Sequence, residues 1–166
     1  MMTNQQIAED IVVKFGENTH SFEEPWGLLT LTTNRQNIIS LLEYLKQHET
    51  FRFNFLTDLT GIHLPDNQGS EFGVIYHLHS LQNNVRIRIK VFLSQDDIHI
   101  PTATTIWPTA NWMERETYDF FGILFDGHPN LIRILNIEEM DYFPMRKEYA
   151  LEDATREDKI DALFGR

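Results

Sequence analysis

Glu114, Glu116 and Asp119, followed by His128, carry the densest side-chain chemistry in the chain. Carboxylates whose environments split their pKa values are the working parts of glycosidases and related hydrolases. A stand-alone acid–base hydrolase using Glu116 or Asp119 is therefore one reading. The spacing argues against it. On a helix, positions i and i+2 point to nearly opposite sides, so Glu114 and Glu116 cannot easily face one substrate. The competing reading is a structural or interfacial ion network built around Arg115, whose planar guanidinium holds carboxylates bidentately. That reading is preferred, with no catalytic residue assigned.

Other candidates are weaker. His77 and His79 alternate on an expected strand and would share a face, with His63 and His99 as possible further ligands, but no spacing supports a metal site. Arg86, Arg88 and Lys90 form a basic stripe on one face, expected to pair with acids across a sheet in preference to receiving an acidic partner. In Gly127-His128-Pro129 the proline fixes its own φ and pushes His128 toward extended backbone, which makes a rigid presenter for an imidazole. No nucleophile accompanies it, so a structural hydrogen bond or a partner contact is expected. There is no glycine-rich nucleotide loop and no zinc-hydrolase motif. The chain has no cysteine, which excludes disulfides and thiolate-held iron–sulfur clusters within it.

The same stretch resembles the Gly-His-Pro signature subunit of the proton-pumping NADH:quinone oxidoreductase, respiratory complex I. The residues that carry the resemblance are Glu114, Arg115, Glu116, Asp119, Gly122, Phe125, Gly127, His128, Pro129, Leu131 and Arg133, followed by Ile134 and Leu135. Ile132 stands where the family often has a second arginine. Tyr142-Phe143-Pro144-Met145-Arg146-Lys147 stands where many members read Gly-His-Pro-Leu-Arg-Lys, keeping the proline and the basic pair Arg146 and Lys147. The resemblance implies an accessory, cofactor-free member of the cytoplasmic arm that scaffolds the large quinone-reducing subunit and the adjacent iron–sulfur subunit. NADH, FMN, iron–sulfur clusters and quinone are then expected in those partners, with electron transfer coupled to proton translocation. The residues named above become a structural and partner-interface set. A related membrane-bound hydrogenase-type complex is the alternative within the same class.

Elements to position these residues are legible along the chain. Asn111 and Glu114 suggest a capping box opening the motif helix. Met113, Thr117, Phe120 and Phe121 make one face, Trp112, Glu116 and Asp119 a second, and Gly122 a stop. A first helix is expected from Thr3 or Asn4, with Ile7, Ile11 and Phe15 at helical spacing and Gly16 ending it. Gly27–Thr33 reads as a strand, and Asn34 to about His48 as a second helix faced by Ile38, Leu41, Leu42 and Leu45. An extended run covers Phe51–Ile62. Glu71–Ser80 and Val85–Leu93 alternate as a hairpin turned by Gln82-Asn83-Asn84. A short helical turn between Pro101 and Pro108 is possible before the motif helix. This order predicts an α+β fold: a mostly antiparallel sheet with helices packed on one side, and an extended C-terminal tail.

Two segments are expected, a core domain over 1–137 and a partner-binding tail over 138–166. In the tail, Tyr142, Phe143, Met145, Tyr149, Leu151, Leu163 and Phe164 are anchors spaced among charges. Few contacts with the core are expected from Glu138 onward. With 166 residues and 42% hydrophobic content the chain can bury one sizeable core. Its net charge of −11 opposes binding to nucleic-acid backbone or an anionic bilayer. No apolar run reaches the roughly 20 residues a membrane helix needs, and the acidic N-terminus lacks the basic start of a signal peptide. A position on the cytoplasmic side of the membrane, peripheral through the complex, is expected.

Overall fold

A computed structural model describes residues 3–149. The chain runs α1 (Asn4–Phe15), β1 (Thr19–Glu23), β2 (Leu29–Thr33), α2 (Ile38–Gln47), β3 (Phe55–His63), β4 (Phe72–Ser80), β5 (Val85–Leu93), β6 (His99–Pro101), α3 (Ala110–Phe121) and β7 (Leu124–Asp126). Strands β1 to β5 form one sheet in the order β1-β2-β5-β4-β3, while β6 and β7 pair separately in parallel. Within the large sheet every neighbouring pair is antiparallel except β2 with β5. That exception follows from α2, β3 and β4 intervening between them, which supplies the long crossover a parallel pair requires.

Strand alternation divides the sheet into two faces. Leu29 and Leu31 on β2, Ile87, Ile89 and Val91 on β5, Val74, Tyr76 and Leu78 on β4, and Leu56 and Leu59 on β3 all lie buried. Their registered partners share that face. Against it pack Ile7 and Ile11 of α1 and Ile38, Leu41, Leu42 and Leu45 of α2, all fully buried. Each such side chain contributes about 1.5–3 kcal/mol of burial before chain entropy is charged against it. Helix α3 lies on β3, and Gly61 is what lets it approach. A Cβ at that position would stand 2.6 Å from the Phe121 ring.

The structure settles one expected boundary and moves others. The first helix is capped by Thr3, whose hydroxyl accepts the Gln6 N–H while the Gln6 side chain accepts the Thr3 N–H. Gly27 belongs to a tight Pro25-Trp26-Gly27 turn before β2, and residues 34–37 form a turn before α2 begins at Ile38. The motif helix starts at Ala110 behind Thr109, without a side-chain cap; Asn111 lies inside it. The Asn111–Glu114 capping box therefore does not form, because Glu114 is drawn into the interior by other partners. Strand β1 escapes a periodicity reading because a bulge between His20 and Glu23 breaks its alternation. At three residues each, β6 and β7 are too short for periodicity to show.

The expectation of few core contacts from Glu138 onward is corrected for the described residues. Met145 N–H donates to Phe120 O, the Arg146 Nε–H to Phe121 O, and Lys147 N–H to His63 Nδ1. The Arg146 guanidinium lies 4.9 Å from the Phe72 ring centroid and 4.6 Å from that of Phe143. A segment poor in aliphatic residues thus finds its partners through one arginine between aromatic rings, which raw apolar density does not register. Leu151, Leu163 and Phe164, and with them the rest of the expected tail, lie outside the described residues.

Candidate functional site

Helix α3 has a low density of aliphatic residues, yet Glu114, Thr117 and Asp119 are buried in it alongside Ala110 and Phe121. It ends at Gly122, whose φ of 76° supplies the left-handed cap and whose N–H returns to Tyr118 O. A buried carboxylate must find donors, and both do so in loops that arrive from elsewhere in the chain.

Glu114 takes the loop before the helix. Its Oε2 accepts the Thr102 hydroxyl at 2.5 Å and its Oε1 accepts Ala103 N–H at 2.6 Å. Burial pushes its carboxyl up to about 7, against the opposing pull of those two hydrogen bonds. His128 sits beside it, its Nε2 4.0 Å from Glu114 Oε2 with both side chains fully enclosed. The Asn130 N–H points at His128 Nδ1 at 3.0 Å, while Nε2 faces Asn111 O at 3.2 Å. These partners assign the proton to Nε2. The Gly-His-Pro turn is thereby stitched to the start of α3, with Gly127 at φ 83° making the turn.

Asp119 takes the loop after the helix. Its Oδ2 accepts three consecutive backbone N–H groups, Ile134, Leu135 and Asn136, at 2.8 to 3.0 Å. Its Oδ1 accepts Arg133 Nη1 at 2.7 Å and Asn136 Nδ2 at 3.0 Å. Burial would raise this carboxyl, but the amides of Asn136, Leu135 and Ile134 together with Arg133 outweigh it and hold it well below the usual carboxylate range. Arg133 continues the network outward, donating to the carbonyls of Asp119, Met140 and Tyr142.

Arg115 does something other than expected. It pairs with no carboxylate among the described residues; its Nε donates to Ile132 O and its Nη2 to Arg133 O, while the guanidinium lies 5.2 Å from the Trp112 ring centroid. The expected network around Arg115 is therefore replaced by two separate hubs, and Arg133 is the cation that answers Asp119. The physical reason is reach: residues 132–133 run alongside the helix and offer carbonyls in place of a side-chain carboxylate. Glu116 is exposed and joins neither hub. Among the remaining motif residues, Phe125 is buried, Leu131 packs on the core, and Pro129 and Lys147 are exposed.

Among the described residues these carboxylates form no acid–base pair open to a substrate, since Glu114 and His128 are enclosed together. Asp119 has both oxygens occupied by five donors, Glu114 faces the interior, and Glu116 stands alone at the surface. The histidines considered as ligands are dispersed. His77 and His79 lie on the face of the sheet away from the helices, His63 stacks on Phe72 and accepts Lys147 N–H, and His99 contacts Asp126 at 2.9 Å. Arg88 donates to His77 Nε2 at 2.8 Å, so the basic stripe does not meet acids across its strand pair.

What the hubs achieve is presentation. The segment 130–137, with each of residues 132–136 hydrogen-bonded to Arg115 or Asp119 of α3, exposes Ile132, Leu135 and Ile137 beside the exposed Trp112. Thr102, Asn136 and Ile137 are not singled out by sequence reasoning, which names Trp112, Ile132 and Leu135 as helix-face or motif positions without reading them as an exposed surface. The one local signal is ILNI after Arg133, an apolar string with neither strand nor helix periodicity.

The chemistry defines a class: an α+β domain in which one helix spends its polar groups on fixing loops, leaving an ordered apolar surface. Residues 31–155 match the family described as respiratory-chain NADH dehydrogenase, 30 Kd subunit, and this protein belongs to that family. It is 39% identical over 157 residues to the C subunit of NADH-quinone oxidoreductase from Citrifermentans bemidjiense, covering 95% of this chain and 96% of that one. It is 42% identical over 125 residues to the C subunit from Nocardioides sp., but spans only 50% of that relative's length. It is 43% identical over 155 residues to a C/D subunit of the same enzyme from Psychrobacter sp., of which it spans 26%. Among solved structures, the trypsin-resistant fragment of Nqo5 superposes with a TM-score of 0.67 at 31% identity, covering 78% of this chain and all of that fragment.

Proposed function

We propose that this chain is a peripheral-arm subunit of an NADH:quinone oxidoreductase and acts as a scaffold between its larger subunits. The observation that carries this is the exposed apolar row Trp112, Ile132, Leu135 and Ile137, held in place by buried polar hubs. Apolar side chains fixed at the surface at the expense of buried charges are best explained by a partner that covers them. The relatives named as C/D subunits carry this domain within a longer chain. That supports the D subunit, the large quinone-reducing one, as the neighbour, with the iron–sulfur subunit beyond it. The chemistry of electron transfer is assigned to those partners. This chain has no cysteine to hold a cluster and no glycine-rich loop for a nucleotide. Among the described residues no helix is long and apolar enough to cross a membrane; a peripheral place on the cytoplasmic side, held through the complex, is part of this proposal.

The test is Leu135→Asp, expressed in the native membranes and purified by an affinity tag on this chain after detergent solubilisation. Wild-type chain is expected to bring down the larger redox subunits, identified by mass spectrometry. The variant is expected to lose them while the isolated chain keeps its melting temperature, since Leu135 is 64% exposed. Retention of all partners by the variant counts against this face as the docking surface.

A further inference from the structure

The second face of the large sheet lies opposite the helices, and its side chains are set by the same register that buries the first. Three cations stand at alternate positions of the central strand β5: Arg86, Arg88 and Lys90. Their neighbours on β4 are His79, His77 and Ile75, and on β2 Thr30 and Thr32 lie beside Arg88 and Lys90. No carboxylate is a cross-strand partner of any of them. The acids on this face are on outer strands: Asp58 of β3, which approaches His77 at 3.5 Å, and Glu23 of β1 beside Thr30. Among the described residues Arg86 and Lys90 make no ion pair, and Arg88 spends its Nε on an imidazole. Burial, followed by the charge of Arg88, lowers the pKa of His77, in keeping with its role as acceptor.

In a chain of net charge −11 an uncompensated cationic line is out of keeping with the rest of the surface. It also stands on the central strand of the sheet, hydrogen-bonded on both sides. At the Arg86 end Trp26 is fully exposed with a φ of 56°, in the turn that shares a shallow recess with Asn84, Val85 and Arg86. A tryptophan held out on left-handed backbone is the kind of anchor interfaces use.

We propose that this open sheet face docks an acidic segment of a second protein, whose carboxylates answer Arg86 and Lys90. Arg86 and Lys90, four positions apart on β5, stand about 13 Å apart at the rise of a strand, which matches carboxylates four residues apart on an extended chain. The overall negative charge of the molecule disfavours a polyanion or an anionic bilayer and leaves a short acidic stretch as the complementary ligand. This surface is separate from the Trp112–Leu135 row. It lies on the opposite side of the sheet from α3, so one chain can hold two partners at once.

The experiment uses the assembled complex in native membranes, with a photo-crosslinking amino acid in place of Thr32, beside Lys90, and in parallel in place of Leu135. The expected result is a Thr32 crosslink to one polypeptide, mapped by mass spectrometry to a segment with net negative charge. Its yield should fall at least fivefold in Arg86→Glu/Lys90→Glu, and the isolated double variant should melt within a few degrees of wild type. Absence of a Thr32 crosslink overturns the proposal, whatever is captured at Leu135. So does capture of lipid, of another copy of this chain or of its own residues, and so does a yield indifferent to charge reversal. Silence at Leu135 alone bears instead on the scaffold reading.

Discussion

Glu114 and Asp119 sit on one helix, both buried, and titrate in opposite directions because their donors differ in number. Glu114 has two hydrogen-bond donors and a carboxyl pushed up to about 7 by burial. Its native state therefore holds the proton more tightly than the unfolded chain. The associated stability is fully present below the ordinary glutamate range and is lost as pH rises toward 7, a swing of roughly 3 kcal/mol. Glu114→Gln keeps an acceptor for Ala103 N–H and has no proton to lose. Thermal melts at pH 5 and pH 8 should show a smaller loss of stability at the higher pH for the variant than for wild type. Equal losses would remove Glu114 as the source. Asp119, with five donors, is held below the usual range, so its contribution is present at neutral pH and lost as pH falls through that range. Asp119→Asn strands Arg133, whose side chain is only 8% exposed, and should cost about 3–5 kcal/mol in urea unfolding at pH 7. A cost below about 1 kcal/mol, the net worth of one ordinary hydrogen bond, would mean the hub is dispensable.

At the scale of elements, the C-terminal end of α3 depends on the segment that returns over it. Gly122 has a φ of 76°, and a Cβ there would stand 2.6 Å from both Arg146 Nη2 and the Phe143 ring. Gly16 also has a positive φ, 56°, but a Cβ there would meet nothing within 4 Å. Both Gly→Ala variants put an alanine at positive φ, but at different ψ (19° at Gly122, −133° at Gly16), so displacement of residues 143–147 is read from amide protection within that segment. Gly122→Ala should lose amide-exchange protection at Met145 and Lys147, whose N–H groups are bonded to Phe120 O and His63 Nδ1. Gly16→Ala should leave both intact, and equal protection in the two variants would show that the returning segment does not depend on this contact. The same region shows why some elements are legible in the sequence and others are not. Ile38, Leu41, Leu42 and Leu45, or Val74, Tyr76 and Leu78, announce a helix and a strand because burial on one face imposes a period. The returning segment is held by carbonyls, one guanidinium and aromatic rings, which impose none.

For the whole molecule, the motif from Glu114 to Arg133 is visible in the sequence as a unit, but its wiring is not. Which carboxylate meets which arginine depends on where residues 130–137 turn back along α3, and no local pattern encodes that path. Arg115 is the case that bears most on the proposed scaffold role. Its neighbours in sequence suggest that it neutralises the acids beside it; instead it binds Ile132 O and Arg133 O and stacks on Trp112. It thus fixes the spacing between Trp112 and the apolar run Ile132–Ile137 without bearing on the Asp119–Arg133 pair. Arg115→Met keeps the aliphatic stem and removes both donors, leaving two carbonyls that water can satisfy at this half-exposed site. The fold should survive with a loss of about 1–3 kcal/mol, while the outer row loses its register. Blue-native gels of membranes carrying the variant should show less assembled complex than wild type. NADH:quinone activity per assembled complex should remain near normal, because among the described residues Arg115 binds only backbone carbonyls and a ring of its own chain. Full assembly with lost activity would return this helix to a direct chemical role.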